Sequence, residues 1–271
     1  MKPFPLKIGT TSYIIPDDIL PNVQFLASQV CDVELVLFEV DDGPNNLPDE
    51  ATLLSLSEIA GQHQLTYTVH LPLDLRLGDA GDTRHVSLQK AQKVIDCTHS
   101  LNPFAYVLHL DGRELLPTYT AEAYQKWISQ ACRALEITAN WAGSAELLAV
   151  ENLEGYPLGF WEPVFERLPV SRCVDIGHLW LDQHDPLPVL NSALPRTRVI
   201  HLHGIHTRDH QSLSFITTPQ TDAVIHFLAQ SAFDGVVTLE VFNQSDFESS
   251  LQVVQDSLER YKNTQQPEHK S

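Results

Sequence analysis

Basic residues are scarce in this chain: 17 lysines and arginines stand against 35 aspartates and glutamates, a formal net charge of −18. A protein that grips duplex nucleic acid draws most of its affinity from Lys and Arg neutralising phosphates, and no basic stripe is visible, so a nucleic-acid partner is not expected. Cysteine is sparse as well. Cys31, Cys97, Cys132 and Cys173 lie far apart with no CxxC spacing, which excludes a disulfide framework and fits reduced structural residues of a cytoplasmic protein. The start, Met1-Lys2-Pro3-Phe4-Pro5, has no hydrophobic signal core, and no apolar run approaches membrane-spanning length. A glycine-rich phosphate turn is missing too: Gly9 is followed by Thr-Thr-Ser-Tyr and not by GxGxxG, which argues against a doubly wound dinucleotide fold.

What is present is a regular alternation. Short apolar runs at 6–9, 33–40, 66–70, 105–109, 147–150, 173–174, 198–203 and 236–242 read as strands. Helical spacing falls between them at 50–63, 86–98, 122–138 and around 163–168. Ser245 and Glu248 have capping-box spacing ahead of a face made by Phe247, Leu251, Val254, Leu258 and Tyr261. Eight β-then-α units with near-continuous apolar strands predict a single (β/α)8 TIM barrel over residues 1–262, with a polar tail at 263–271.

In such a barrel the C-terminal strand ends converge on one face. Here those ends carry His70, His109, Glu151, Asp175 with His178, His201 with His203, and Glu240, while the following loop adds His206, Asp209 and His210. A lone histidine at a strand end is usually a hydrogen-bonded structural residue, and DxxH arises often by chance. A carboxylate inside an apolar strand, as Glu240 is in VVTLEVF and Glu151 is after LLAV, needs a partner. Repetition on successive strands points to divalent metal ions, with Zn, Mn and Fe all compatible with His and carboxylate ligands.

The motifs VENLEG, CVDIGH, IHLHG and RDHQSL resemble those of the xylose isomerase-like TIM-barrel superfamily, and within it endonuclease IV. The resemblance implies two or three metals. His70, His109 and Glu151 would hold one, Glu151 would bridge to a second held by Asp175, His201 and Glu240, and His178, Asp209 and His210 would hold a third. The pattern departs at one place, because Asp209 is adjacent to His210 and Arg208 takes the outer position. Strings outside the ligand set, GTTSYIIPDDILPNVQFLA, DVELVLFE, TYTVHLPLDL and FAYVLHLDG, are similar to cobamide-remodelling phosphodiesterases of this superfamily. They imply hydrolysis of the nucleotide-loop phosphodiester of a cobamide to cobinamide phosphate and an α-riboside.

On that reading Glu151, Asp175 and Glu240 are catalytic, and Arg76, Arg113 and Arg208 are candidate phosphate donors. Glu39 is a candidate substrate contact. A sugar isomerase or epimerase would need only Glu151, Asp175, His201 and Glu240 around one metal, leaving His70, His109 and His210 without a role. A non-catalytic corrinoid- or sugar-binding barrel is the reading from another class.

Overall fold

A computed structural model describes residues 5–38, 45–110 and 112–265. Eight parallel strands close into a barrel in sequence order, as expected. They are β1 (Lys7–Thr11), β2 (Asp32–Val36), β3 (Thr66–His70), β4 (Ala105–Leu108), β5 (Leu148–Glu151), β6 (Ser171–Asp175), β7 (Thr197–Leu202) and β8 (Val236–Leu239). Helices wrap the outside: α1 (Ile19–Leu26), α2 (Glu50–His63), α3 (Val86–Thr98), α4 (Ala121–Ala142), α5 (Glu162–Arg167), α6 (Ile176–Leu181), α7 (Pro186–Ala193), α8 (Thr218–Gln230) and α9 (Gln244–Gln265).

Two layers of apolar packing explain the strand sequences. Leu108, Val150, Val174 and Ile200 face out into the large cluster shared with the helices. Their neighbours Val107, Ala149, Cys173 and Val199 form, with Ala105, a separate cluster that fills the barrel. Both faces are therefore dry, and each fully buried Val or Leu contributes about 1.5–3 kcal/mol. Helices α2 and α3 have the bounds expected from their spacing, and α4 runs a turn further, from the Thr120 cap, which accepts from the Ala123 N–H, to Gly143 in the left-handed region.

Several other boundaries differ. Strand β2 ends at Val36, well before residue 40, and β8 ends at Leu239, so Glu240 follows the strand and does not sit inside it. The last helix is capped by Asn243, whose Oδ1 accepts from the Asp246 N–H at 2.9 Å, so Ser245 is already helical. The capping-box spacing there is coincidental, because Asn243 competes successfully for the same end. All four cysteines are free, and Cys31 is exposed.

Candidate metal centre

Strand alternation delivers the polar side chains. On β4 to β7 the interior residues Val107, Ala149, Cys173 and Val199 are each followed two positions later by His109, Glu151, Asp175 and His201. The same step takes Thr68 to His70, Thr238 to Glu240, Asp32 to Glu34 and His201 to His203. Register pairs Asp175 directly with His201, and staggers the ring by two residues where Glu151 lies beside Cys173 and His70 beside Val107. A period of two thus stacks an apolar floor below a ring of histidines and acids at the C-terminal mouth.

Glu151 stands at the middle of the ring. Its Oε2 lies 3.1 Å from His109 Nε2 and 3.5 Å from His70 Nε2, whereas its Oε1 faces His201 Nδ1 at 3.4 Å and His178 Nδ1 at 3.6 Å. One carboxylate therefore serves two groups of side chains. His70 is oriented by a contact of 2.9 Å between Nδ1 and the Leu71 carbonyl, and His109 by Asp74 Oδ1, 3.1 Å from its Nδ1.

His201 Nδ1 sits in a nest of carboxylates, with Glu240 Oε2 at 3.0 Å, Glu151 Oε1 at 3.4 Å and Asp175 Oδ2 at 3.8 Å. Its other nitrogen, Nε2, meets Glu34 Oε2 at 3.0 Å. A donor hydrogen on Nε2 leaves the Nδ1 lone pair turned into the nest, the usual device by which an outer carboxylate selects a ligating tautomer. Glu34 went unnoticed in the sequence, although the argument that singled out Glu240, a carboxylate among apolar strand residues, applies equally to DVELV.

A third group gathers around Asp175. This residue caps α6, its Oδ1 accepting from the His178 N–H at 2.6 Å, so the DxxH spacing is that of a cap and the third helical residue. Its Oδ2 lies 3.2 Å from His203 Nε2 and 3.4 Å from His178 Nδ1. His203 and His210 stack with ring centroids 4.3 Å apart, and the His210 N–H donates to His203 Nδ1 at 3.0 Å. Two glycines make room: a Cβ on Gly177 would fall 2.0 Å from the His203 ring, and one on Gly204 would fall 1.9 Å from the Ser212 carbonyl oxygen. The residues that converge here are Asp175, His178, His203 and His210. Among the described residues Asp209 meets His210, at 3.3 Å from its Nδ1, while His203, whose Nδ1 accepts from the His210 N–H, carries its hydrogen on Nε2 and turns it to Asp175.

The donor set fits divalent cations. Ligand atoms converge in the sets His70, His109, Glu151 and Glu151, Asp175, His201, Glu240, as well as in the third group. His201 Nδ1 and Glu240 Oε2 are buried 3.0 Å apart without the alignment of a hydrogen bond, and Glu34 Oε1 is buried without a partner, a costly arrangement unless a cation or a proton lies among them. Burial pushes Glu151 and Glu240 upward, yet the charge of His201, joined by His109 for Glu151 and by His210 for Glu240, holds both well below the usual carboxylate range. Burial would lower His109 and His210. Glu151 and Asp74 outweigh it and raise His109 to about 10, and Glu240 raises His210 to about 9.

The arginines are dispersed. Arg113 is ion-paired to Asp74 at 2.8 Å, beside the ring. Arg76 turns to the Leu77 carbonyl at 3.3 Å and lies 3.9 Å from Asp79, lining a cavity separate from the ring. Arg208 is exposed on the loop before His210. Glu39 lies outside the described residues. Among the described residues no helix is long and apolar enough to cross a membrane.

A closed parallel barrel with histidines and acids ringing its C-terminal mouth defines a class of metal-site TIM barrels. The chain belongs to the xylose isomerase-like TIM barrel family, whose model matches residues 32–264. Among solved structures it is similar to a D-tagatose 3-epimerase-like protein, at 18% identity and TM-score 0.75 over 96% of this chain and 99% of that one. It is also similar to endonuclease IV from Thermus thermophilus, at 18% identity and TM-score 0.69 over 94% and 99%. An L-ribulose 3-epimerase aligns at 12% identity and TM-score 0.70 over 98% and 100%. Identities this low speak for the fold alone. No curated protein matches by sequence.

Proposed function

We propose that the chain is a metal-dependent phosphodiesterase acting on a cobamide. The observation that carries the hydrolase reading is Glu151, which turns one oxygen to His70 and His109 and the other to His201. A one-metal site has no use for the first pair. His70, His109 and Glu151 would hold one ion, Glu151, Asp175, His201 and Glu240 a second, and Asp175, His178 and His210 a third, with His203 orienting Asp175. Divalent ions bound there supply positive charge against the phosphodiester oxygens and make an attacking water more acidic.

The protein's own part is positioning. Glu34 and Asp74 hold the His201 and His109 rings through their outer nitrogens, so the ligand atoms meet the substrate already oriented. Arg113, paired with Asp74 beside the ring, would donate to a phosphate oxygen. The cobamide rests on the resemblance of the strings outside the ligand set, and the acidic net charge suits a small substrate better than a polyanion.

A sugar epimerase or isomerase is the second reading. Glu151, Asp175, His201 and Glu240 form a self-contained four-residue set, and two of the similar structures described above are named as an epimerase-like protein and an epimerase. One experiment separates the two. Metal-loaded protein is incubated with an adenosylated cobamide and, in parallel, with ketohexoses, and the products are identified by mass spectrometry and NMR. Cobinamide phosphate and a riboside are expected. Epimerised sugar with an intact cobamide would establish the second reading, and no turnover of either would leave a binding barrel.

A further inference from the structure

The described residues include nine large hydrophobic side chains that are exposed, and all but Leu54, Val86 and Leu181 lie in loop segments that follow strand C-terminal ends. Isolated exposed hydrophobics are ordinary on a protein surface, but a concentration of them around a polar site is not. Three of them, Phe38, Leu73 and Phe242, are 48%, 41% and 39% exposed. They line one cavity of about 280 Å³ whose other walls include His70, His109, His210 and Glu240. Phe242 also packs against His210, with ring centroids 5.6 Å apart. The candidate ligands therefore open onto a largely apolar collar, with Asp74, the partner of Arg113, on the same wall.

We propose that this collar binds the body of the substrate, which is a phosphodiester monoanion with a broad apolar face beside the scissile group. The proposal rests on the phosphodiesterase reading and assigns the side chains that would cover the apolar part of its substrate. A free monosaccharide would leave the three side chains facing hydroxyls. A polynucleotide would bring one further negative charge per nucleotide to a chain of net charge −18. An apolar arm gains from covering Phe38, Leu73 and Phe242 while its single charge meets the ring below.

The test uses binding, so that it stands apart from turnover. Metal-loaded full-length protein is titrated calorimetrically with diphenyl phosphate and with dimethyl phosphate, which carry the same charge and differ in apolar area. Diphenyl phosphate is expected to bind at least about tenfold tighter, and the ratio should collapse toward one in the double variant F38S/L73N. Equal affinity of the wild-type protein for the two esters overturns the proposal, as does a ratio that the double variant leaves unchanged. Sedimentation showing a dimer that F38S/L73N dissociates would assign the collar to a second copy of the chain and also overturn it. Preference for diphenyl phosphate without release of phenol, or of riboside from a cobamide, would uphold the collar and sink the hydrolase reading. Binding of neither ester sinks both.

Discussion

His70→Ala separates a multi-metal hydrolase from a one-metal isomerase. His70 sits at the end of β3 with Nδ1 engaged by the Leu71 carbonyl at 2.9 Å, which leaves Nε2 as the free atom, 3.5 Å from Glu151 Oε2. Only His109 and Glu151 accompany it in that set. Four-ligand zinc sites bind with about 10–16 kcal/mol in total, so one ligand carries roughly 3 kcal/mol, and its loss should weaken the first ion about 100-fold or more. The side chain is at the rim, 15% exposed, so the barrel core is untouched and the melting temperature of metal-free protein should move by no more than a few degrees. Elemental analysis after dialysis into low free metal should show one ion fewer per chain, with cobamide hydrolysis reduced about 1,000-fold. Unchanged stoichiometry with unchanged turnover would refute the shared role of Glu151 and leave Glu151, Asp175, His201 and Glu240 as a lone site.

Three further outcomes follow from the geometry. Glu34→Gln replaces the acceptor at His201 Nε2 by an amide and should weaken metal binding about 10–100-fold with the fold intact, measured by competition with a chelator dye; undiminished affinity contradicts the positioning role. His210→Ala should lower metal content further than His203→Ala, because His203 Nδ1 accepts from the His210 N–H and its Nε2 hydrogen faces Asp175 at 3.2 Å; the reverse order would make His203 the ligand. Metal uptake should depend on pH. In metal-free protein His109 and His210 titrate near 10 and 9, both above the ordinary 6.5, so their ion pairs stabilise the fold fully below about pH 6.5 and are lost as pH rises through 9 to 10. A metal must displace those protons, so apparent affinity rises with pH across that window, and binding at pH 7.5 releases protons. Calorimetric heats independent of buffer ionisation enthalpy would contradict this.

Much of the molecule was legible from local pattern. The apolar runs located eight strands, and helical spacing located α2 and α3 at their observed bounds, because these signals come from neighbours in the chain. The strand-end residues His70, His109, Glu151, Asp175, His201 and Glu240 were visible for the same reason. Glu34 and Asp74 were not singled out, since each matters through a histidine far away in sequence: Glu34 through His201 and Asp74 through His109.

By itself, then, the sequence determined the barrel and the chemical type of its mouth, because strand alternation and burial are local consequences of residue order. Only the tertiary structure decided how the polar atoms are shared. It split the two oxygens of Glu151 between neighbouring groups, turned His201 Nδ1 into three carboxylates, and set His203 between Asp175 and the His210 N–H. Those choices depend on barrel register and on the close approach permitted by Gly177 and Gly204, and such distances between strands are not written in any one segment.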